Sequence, residues 1–196
     1  DFQVHTPRDP NWAGACPIGL GEDNKETGAK ATADDVDAAR LKWANAFLDQ
    51  CVAKGLQAVA LTDHHEMVMV PYVQKAIAER KKADDSFDFW LFPGMELTAS
   101  GGVQCLILFD AHLSEEWRQQ AQGKLGIVYA DHDGKSAKAP KVTQLTCNYA
   151  DIGTLLDQLE GLRGRYIVLP NVSQGGNHTV LTDGKHGDFR RMPYVG

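Results

Sequence analysis

The chain has 196 residues, 43% hydrophobic and 23% charged, which excludes wholesale disorder and leaves room for one domain with a real core. Twenty Lys and Arg stand against 26 Asp and Glu, a net charge of −6, so the surface is no general platform for nucleic acid held by basic residues. No run of about 18 apolar residues occurs, so no membrane-spanning helix is expected.

Residues 1–5, Asp1-Phe2-Gln3-Val4-His5, read as a first strand, with Gln3 and His5 on one side and Phe2 and Val4 on the other. Residues 11–33 are glycine-bearing and polar, a long loop of the kind that tends to carry function. Thr32 is placed to cap a helix with Asp34 and Asp35 in its first turn and Gly55 as its stop. Val36, Ala39, Trp43, Phe47 and Cys51 share one face of that helix. Leu56–Leu61 is a short apolar strand, and Pro71 opens a helix over Tyr72–Lys82. Phe89–Phe92 and Val103–Phe109 read as buried strands, and Ser114 with Glu115 and Glu116 starts a third helix. Residues 123–150 are polar and form a second loop-rich insertion. An apolar stripe of Ile152, Leu155, Leu156, Leu159 and Leu162 precedes a strand at Arg165–Leu169.

Strands alternating with helices predict a single α/β domain over residues 1–196 with a mostly parallel sheet, open or rolled into a barrel. The chain starts without Met and ends without a capping signal, so it reads as a piece of a longer polypeptide. Cys16, Cys51, Cys105 and Cys147 are widely spaced, which fits reduced thiols in a cytoplasmic protein. Cys51 and Cys105 sit among apolar residues and are expected in the core.

Polar residues collect where the strands end, the rim at which open sheets and barrels place their sites. The segments are His5-Thr6-Pro7-Arg8-Asp9, Thr62-Asp63-His64-His65-Glu66, Pro93-Gly94-Met95-Glu96 and Pro170-Asn171, with Gln104 opening the fourth strand. A lone histidine at a strand end is usually structural; several strands delivering His, Asp or Glu to one rim make a candidate metal site. Asp131-His132-Asp133-Gly134 reads as a turn, and His178 and His186 flank a glycine-rich stretch. Gly175-Gly176 has no nucleotide-loop spacing.

These segments resemble the PHP (polymerase and histidinol phosphatase) superfamily. Its pattern is an H-x-H on the first strand, T-D-H after the second, G-x-E after the third, single histidines later and a final D-x-H. Here Gln3-Val4-His5, Thr62-Asp63-His64 and Gly94-Met95-Glu96 follow in that order. Val4–Asp9 with Trp12, and Thr62–Glu66, are most similar to the PHP domain at the front of TrlF-type proteins, which carry a coiled-coil ATPase downstream.

The resemblance implies a distorted (β/α)7 barrel, with its first five or so strands in this chain, and a metal-dependent phosphoesterase that hydrolyses phosphodiester bonds in nucleic acid. It assigns His5, His64 and Glu96 as metal ligands, with Gln3 and Asn171 auxiliary and Glu96 suited to bridge two metals. Asp63 or His65 would orient His64 or relay a proton, Arg8 would hold a phosphate, and Asp9 would hold a metal-bound water.

The chain departs from the pattern where Gln3, Gln104 and Asn171 stand at histidine positions and no D-x-H follows. Amide oxygens are poor ligands for Zn2+, which shifts the expected ion from Zn2+ or Fe2+ toward Mn2+ or Mg2+. The same replacements support a second reading, a degenerate PHP domain serving regulation or assembly. A small-molecule phosphomonoesterase is a third.

Overall fold

The computed structural model describes residues 1–9, 12, 32–127, 144–172 and 178–179. The expected loop at 11–33 and the motifs at 131–134, 175–176 and 186 lie almost wholly outside the described residues, as does Cys16.

Helix α1, Ala33–Ala53, begins where the sequence places it. The Thr32 hydroxyl accepts from the Asp35 N–H at 3.2 Å, and the Asp35 carboxylate accepts back from Thr32 N at 2.9 Å, a reciprocal capping box. Gly55, at φ +71, closes it in a conformation that favours glycine. The buried face is rotated slightly from the expected one. Ala44 and Leu48 take the deepest positions beside Val36, Ala39 and Cys51, while Trp43 and Phe47 stack at the half-buried margin.

After β1 (Ala58–Leu61) comes α2 (Val70–Ala83), with Pro71 in its first turn. Then follow β2 (Trp90–Thr98), β3 (Gln104–Phe109), α3 (Glu115–Lys124, capped by Ser114) and α4 (Asp151–Leu156). The apolar stripe after Ile152 therefore splits into α4 and a short 3-10 turn at Glu160–Leu162 before β4 (Tyr166–Pro170). Among the described residues no helix is long and apolar enough to cross a membrane.

The chain is mixed α/β, with an open sheet in the order β1-β2-β3-β4. Two expectations need correction. The sheet is not mostly parallel: β1 and β2 run parallel, but β2–β3 and β3–β4 are antiparallel. For β2 and β3 the reason is connection length. Only residues 99–103 join β2 to β3, and a parallel crossover needs a dozen or more. Gly101 and Gly102, both at positive φ, fold this link into a hairpin. The sheet formed by the described strands is also not closed into a barrel.

The expected first strand is reduced to a single bridge, Val4 to Leu61, backed by Thr62 N–H donating to Val4 O at 2.8 Å. The third strand, by contrast, continues through Pro93-Gly94-Met95-Glu96 and does not end before it. It changes partner midway: residues 90–93 pair with β1 and residues 94–98 with β3. Gly94 permits the change, because a Cβ there would lie 2.7 Å from Ile107 O and 2.9 Å from Leu108 Cδ2. Gly94→Ala is expected to destabilise the protein by about 1–3 kcal/mol, the range for overpacking against an unyielding backbone. Urea denaturation measures this, and an unchanged midpoint would show that the β2–β3 contact is loose.

Alternation along the strands gives the sheet two unlike faces. Met95, Ile107 and Val168 share one row of the register and are buried in the core with Leu48, Val73, Ile152 and Leu156. Glu96, Leu106 and Leu169 share the next row and point to the opposite face. Cys51 and Cys105 are free and buried, as expected of core thiols.

Candidate metal centre

The site grows out of the line where the N-terminal segment, β1 and β2 run side by side. β1 and β2 hold one register, Ala58 to Trp90 through Leu61 to Pro93, and the same offset recurs in the bridge His64 to Glu96. Glu96 N–H donates to Asp63 O, and His65 N–H donates to Glu96 O, both at 3.1 Å. The backbone itself thus sets His64 beside Glu96.

His5 reaches the same place because the N-terminal segment is tied to β1. The Asp63 carboxylate accepts from Thr6 N–H at 2.6 Å and lies 2.7 Å from the Thr6 hydroxyl. Thr6-Pro7-Arg8-Asp9 then forms a turn closed by Asp9 N–H to Thr6 O at 2.9 Å, with proline at its favoured second position. The turn brings Asp9 back onto His5.

The result is two imidazoles between two carboxylates. The rings of His5 and His64 stack with centroids 5.2 Å apart. Asp9 Oδ2 lies 2.8 Å from Nδ1 of each ring and also accepts from the His64 backbone N–H at 2.9 Å. On the other edge, Glu96 Oε2 lies 3.3 Å from His5 Nε2, and Oε1 lies 3.7 Å from His64 Nε2. Gln3 Nε2 donates to Glu96 Oε2 at 3.1 Å. His5, Asp9 and His64 each offer a ligand atom within 4.8 Å of the others, a group that can hold a metal ion.

The charges are strongly coupled. Hydrogen bonding to Asp9, and then to Glu96, raises His5 to about 10. Burial pulls His64 down, but Asp9 and Glu96 together lift it above its usual value. Burial would raise Glu96, yet His5, His64 and Gln3 outweigh it and hold the carboxylate below its usual range. Without metal the cluster is therefore a proton-bearing imidazole held between carboxylates, and a cation must displace that proton.

A raised histidine contributes stability that is full below its unfolded value of 6.5 and is lost as pH climbs through about 10. Chelator-treated protein is expected to lose melting temperature across that window, while its affinity for added cation rises. His5→Gln should flatten both slopes. A melting temperature that rises with pH in the metal-free protein would contradict the arrangement.

Other sequence-predicted residues lie apart from this cluster. Asp63 is buried behind it, its carboxylate occupied by Thr6, and burial pushes it up to about 7 against the pull of those hydrogen bonds. His65 turns away at φ +58, and its Nε2 accepts from Thr98 N–H at 2.9 Å. Burial lowers it to about 4, so the ring is neutral. Asp9, rather than Asp63 or His65, orients His64.

Arg8 is fully buried and makes a two-pronged ion pair with Glu66, at 2.9 and 2.8 Å. It is neither a surface pair nor a residue presented to a phosphate. Asn171 is half-buried on a cavity that Gln3 and Glu96 also line, with its N–H on Gln104 O. His178 Nδ1 lies 2.7 Å from Gly102 O, in the β2–β3 link.

Two residues carry more than their sequence suggested. Asp9 anchors both rings, and the His5–Asp9 spacing of four across a proline turn was the available signal. Glu66 clamps the turn through Arg8, and no local pattern announces that pairing. No family model matches the chain, and no curated protein matches it.

Proposed function

We infer that the chain is a metal-dependent phosphoesterase domain of the PHP type, acting on phosphodiester bonds of nucleic acid and working within a larger ATPase-coupled protein. The observation that carries this reading is the convergence of His5, His64 and Glu96, residues far apart in sequence, on one cluster. The donor set suits a first-row divalent ion. Two imidazoles weigh against Mg2+, which takes oxygen ligands, and leave Mn2+, Fe2+ and Zn2+.

Asp9 already occupies both Nδ1 atoms at hydrogen-bonding distance, which leaves both Nε2 atoms toward Glu96. The 3.3 and 3.7 Å gaps there run to different oxygens of Glu96 and are each close to the spacing of about 3.4 Å between ligand atoms on one ion with bonds of ~2.1 Å, so a carboxylate offering both oxygens would complete the set. In this reading His5, His64 and Glu96 hold the ion, Asp9 fixes the rings, and Gln3 steadies Glu96 by donating to it. A bound divalent ion supplies an activated water and neutralises phosphoryl oxygens. That local charge reconciles a phosphate substrate with a net charge of −6.

The test is hydrolysis of bis(p-nitrophenyl) phosphate and of p-nitrophenyl phosphate with Mn2+, Zn2+ or chelator, alongside elemental analysis. Diester cleavage that needs metal and disappears in His64→Ala and Glu96→Ala is expected. Preference for the monoester would favour the small-molecule phosphatase. Absence of both metal and cleavage would favour a regulatory or assembly module, the reading that Gln3, as a donor to Glu96, also suits.

A further inference from the structure

A cavity of about 280 Å³ adjoins the cation cluster, with Gln3 and Glu96 in one wall and Leu106, Leu169, Pro170 and Val172 in the other. Its volume is at the lower end of cavities that take a small organic group, ~300 Å³ upward. The apolar wall is not core. Leu169 is 39% and Val172 53% exposed, whereas Met95, Ile107 and Val168, in the row facing the helices, are buried. Glu96, Leu106 and Leu169 lie in one row across β2, β3 and β4, so the apolar wall begins one strand from the carboxylate at Leu106 and reaches Leu169 two strands away, about 5 to 10 Å. That is the reach from a phosphate to the base it carries. Asn171 stands in the same lining, its backbone held on both sides by Gln104 and Thr179.

We propose that this cavity receives the base of the nucleotide next to the scissile phosphate, so that the protein takes nucleic acid with an unpaired base at the point of cleavage. The inference rests on the phosphodiester reading above and adds its substrate class. A base fits because it is uncharged and flat, with apolar faces for Leu106, Leu169 and Val172. A paired base cannot enter a pocket of this size without leaving its stack. Leu169 becomes a specificity-determining residue, and Glu96 the boundary between base and phosphate.

The experiment is equilibrium binding, read by fluorescence anisotropy, of Mn2+-loaded protein to a short labelled oligothymidylate with phosphorothioate linkages, which resist cleavage. It is compared with an abasic strand of the same length and with the corresponding duplex. The base-bearing single strand is expected to bind at least about 10-fold more tightly than either, the scale of one buried base. Leu169→Ser should bring the affinities for the base-bearing and abasic strands together. Leu169→Met should keep the preference. Equal binding of base-bearing and abasic strands, equal binding of duplex, or an unaltered ratio in Leu169→Ser would overturn the inference and leave the cation centre standing. Absence of any Mn2+-dependent binding would overturn the phosphodiester reading and this inference with it.

Discussion

Glu96→Gln is expected to weaken divalent-ion affinity by at least about 100-fold, while Asp9→Asn weakens it by roughly 10–100-fold, the usual cost of losing an orienting partner. The order follows from atoms. Asp9 Oδ2 sits at hydrogen-bonding distance from three donors, His5 Nδ1, His64 Nδ1 and His64 N–H. Glu96 faces the two Nε2 atoms across wider gaps. Gln at 96 keeps the shape but loses the charge that balances the ion, and it leaves the Gln3 amide facing another amide. Isothermal titration with Mn2+ or Zn2+ measures both variants. The reverse order, with Asp9→Asn the more damaging, would place the ion on the Nδ1 edge and make Glu96 the supporting carboxylate.

Arg8→Met is expected to cost about 3–5 kcal/mol of folding stability, because it breaks the buried two-pronged pair with the Glu66 carboxylate. Glu66→Leu should cost a similar amount by breaking the same buried pair. The double variant should lose clearly less than the sum, since both single variants break the same pair. Urea unfolding of the four proteins supplies the cycle, and additive losses would deny the coupling. The pair also clamps the turn that brings Asp9 onto His5. Arg8→Met should therefore weaken metal binding without removing any ligand. Unchanged metal affinity in a folded variant would show that Thr6 and Asp63 hold the turn alone.

The residues of the cluster, His5, His64 and Glu96, were legible because each follows a short apolar run as a polar type: His5 after Val4, His64 after Leu61-Thr62-Asp63, Glu96 after Gly94-Met95. Their partners were less so. The role of Asp9 depends on a turn and on a histidine 55 positions away, and that of Glu66 on an arginine 58 positions away. Side-chain pairing at such separation leaves no periodic trace. Strand direction was misjudged for a different reason. Ser100-Gly101-Gly102 is a hairpin signal, yet the alternation of strands and helices outweighed it, and the five-residue limit on the link shows only once both strand ends are known.

By itself, the sequence determined what is local. The Thr32 box and the Ser114 cap start helices, Gly55 stops one, Pro71 opens another, and each acts within a turn or two of backbone. It also determined which residue types reach the rim. Only the tertiary structure decided that β3 and β4 run antiparallel, that Asp9 rather than Asp63 grips the imidazoles, and that Arg8 is sealed against Glu66. Those outcomes depend on burial and on contacts between distant segments, whose energies exist only once the chain has closed on itself.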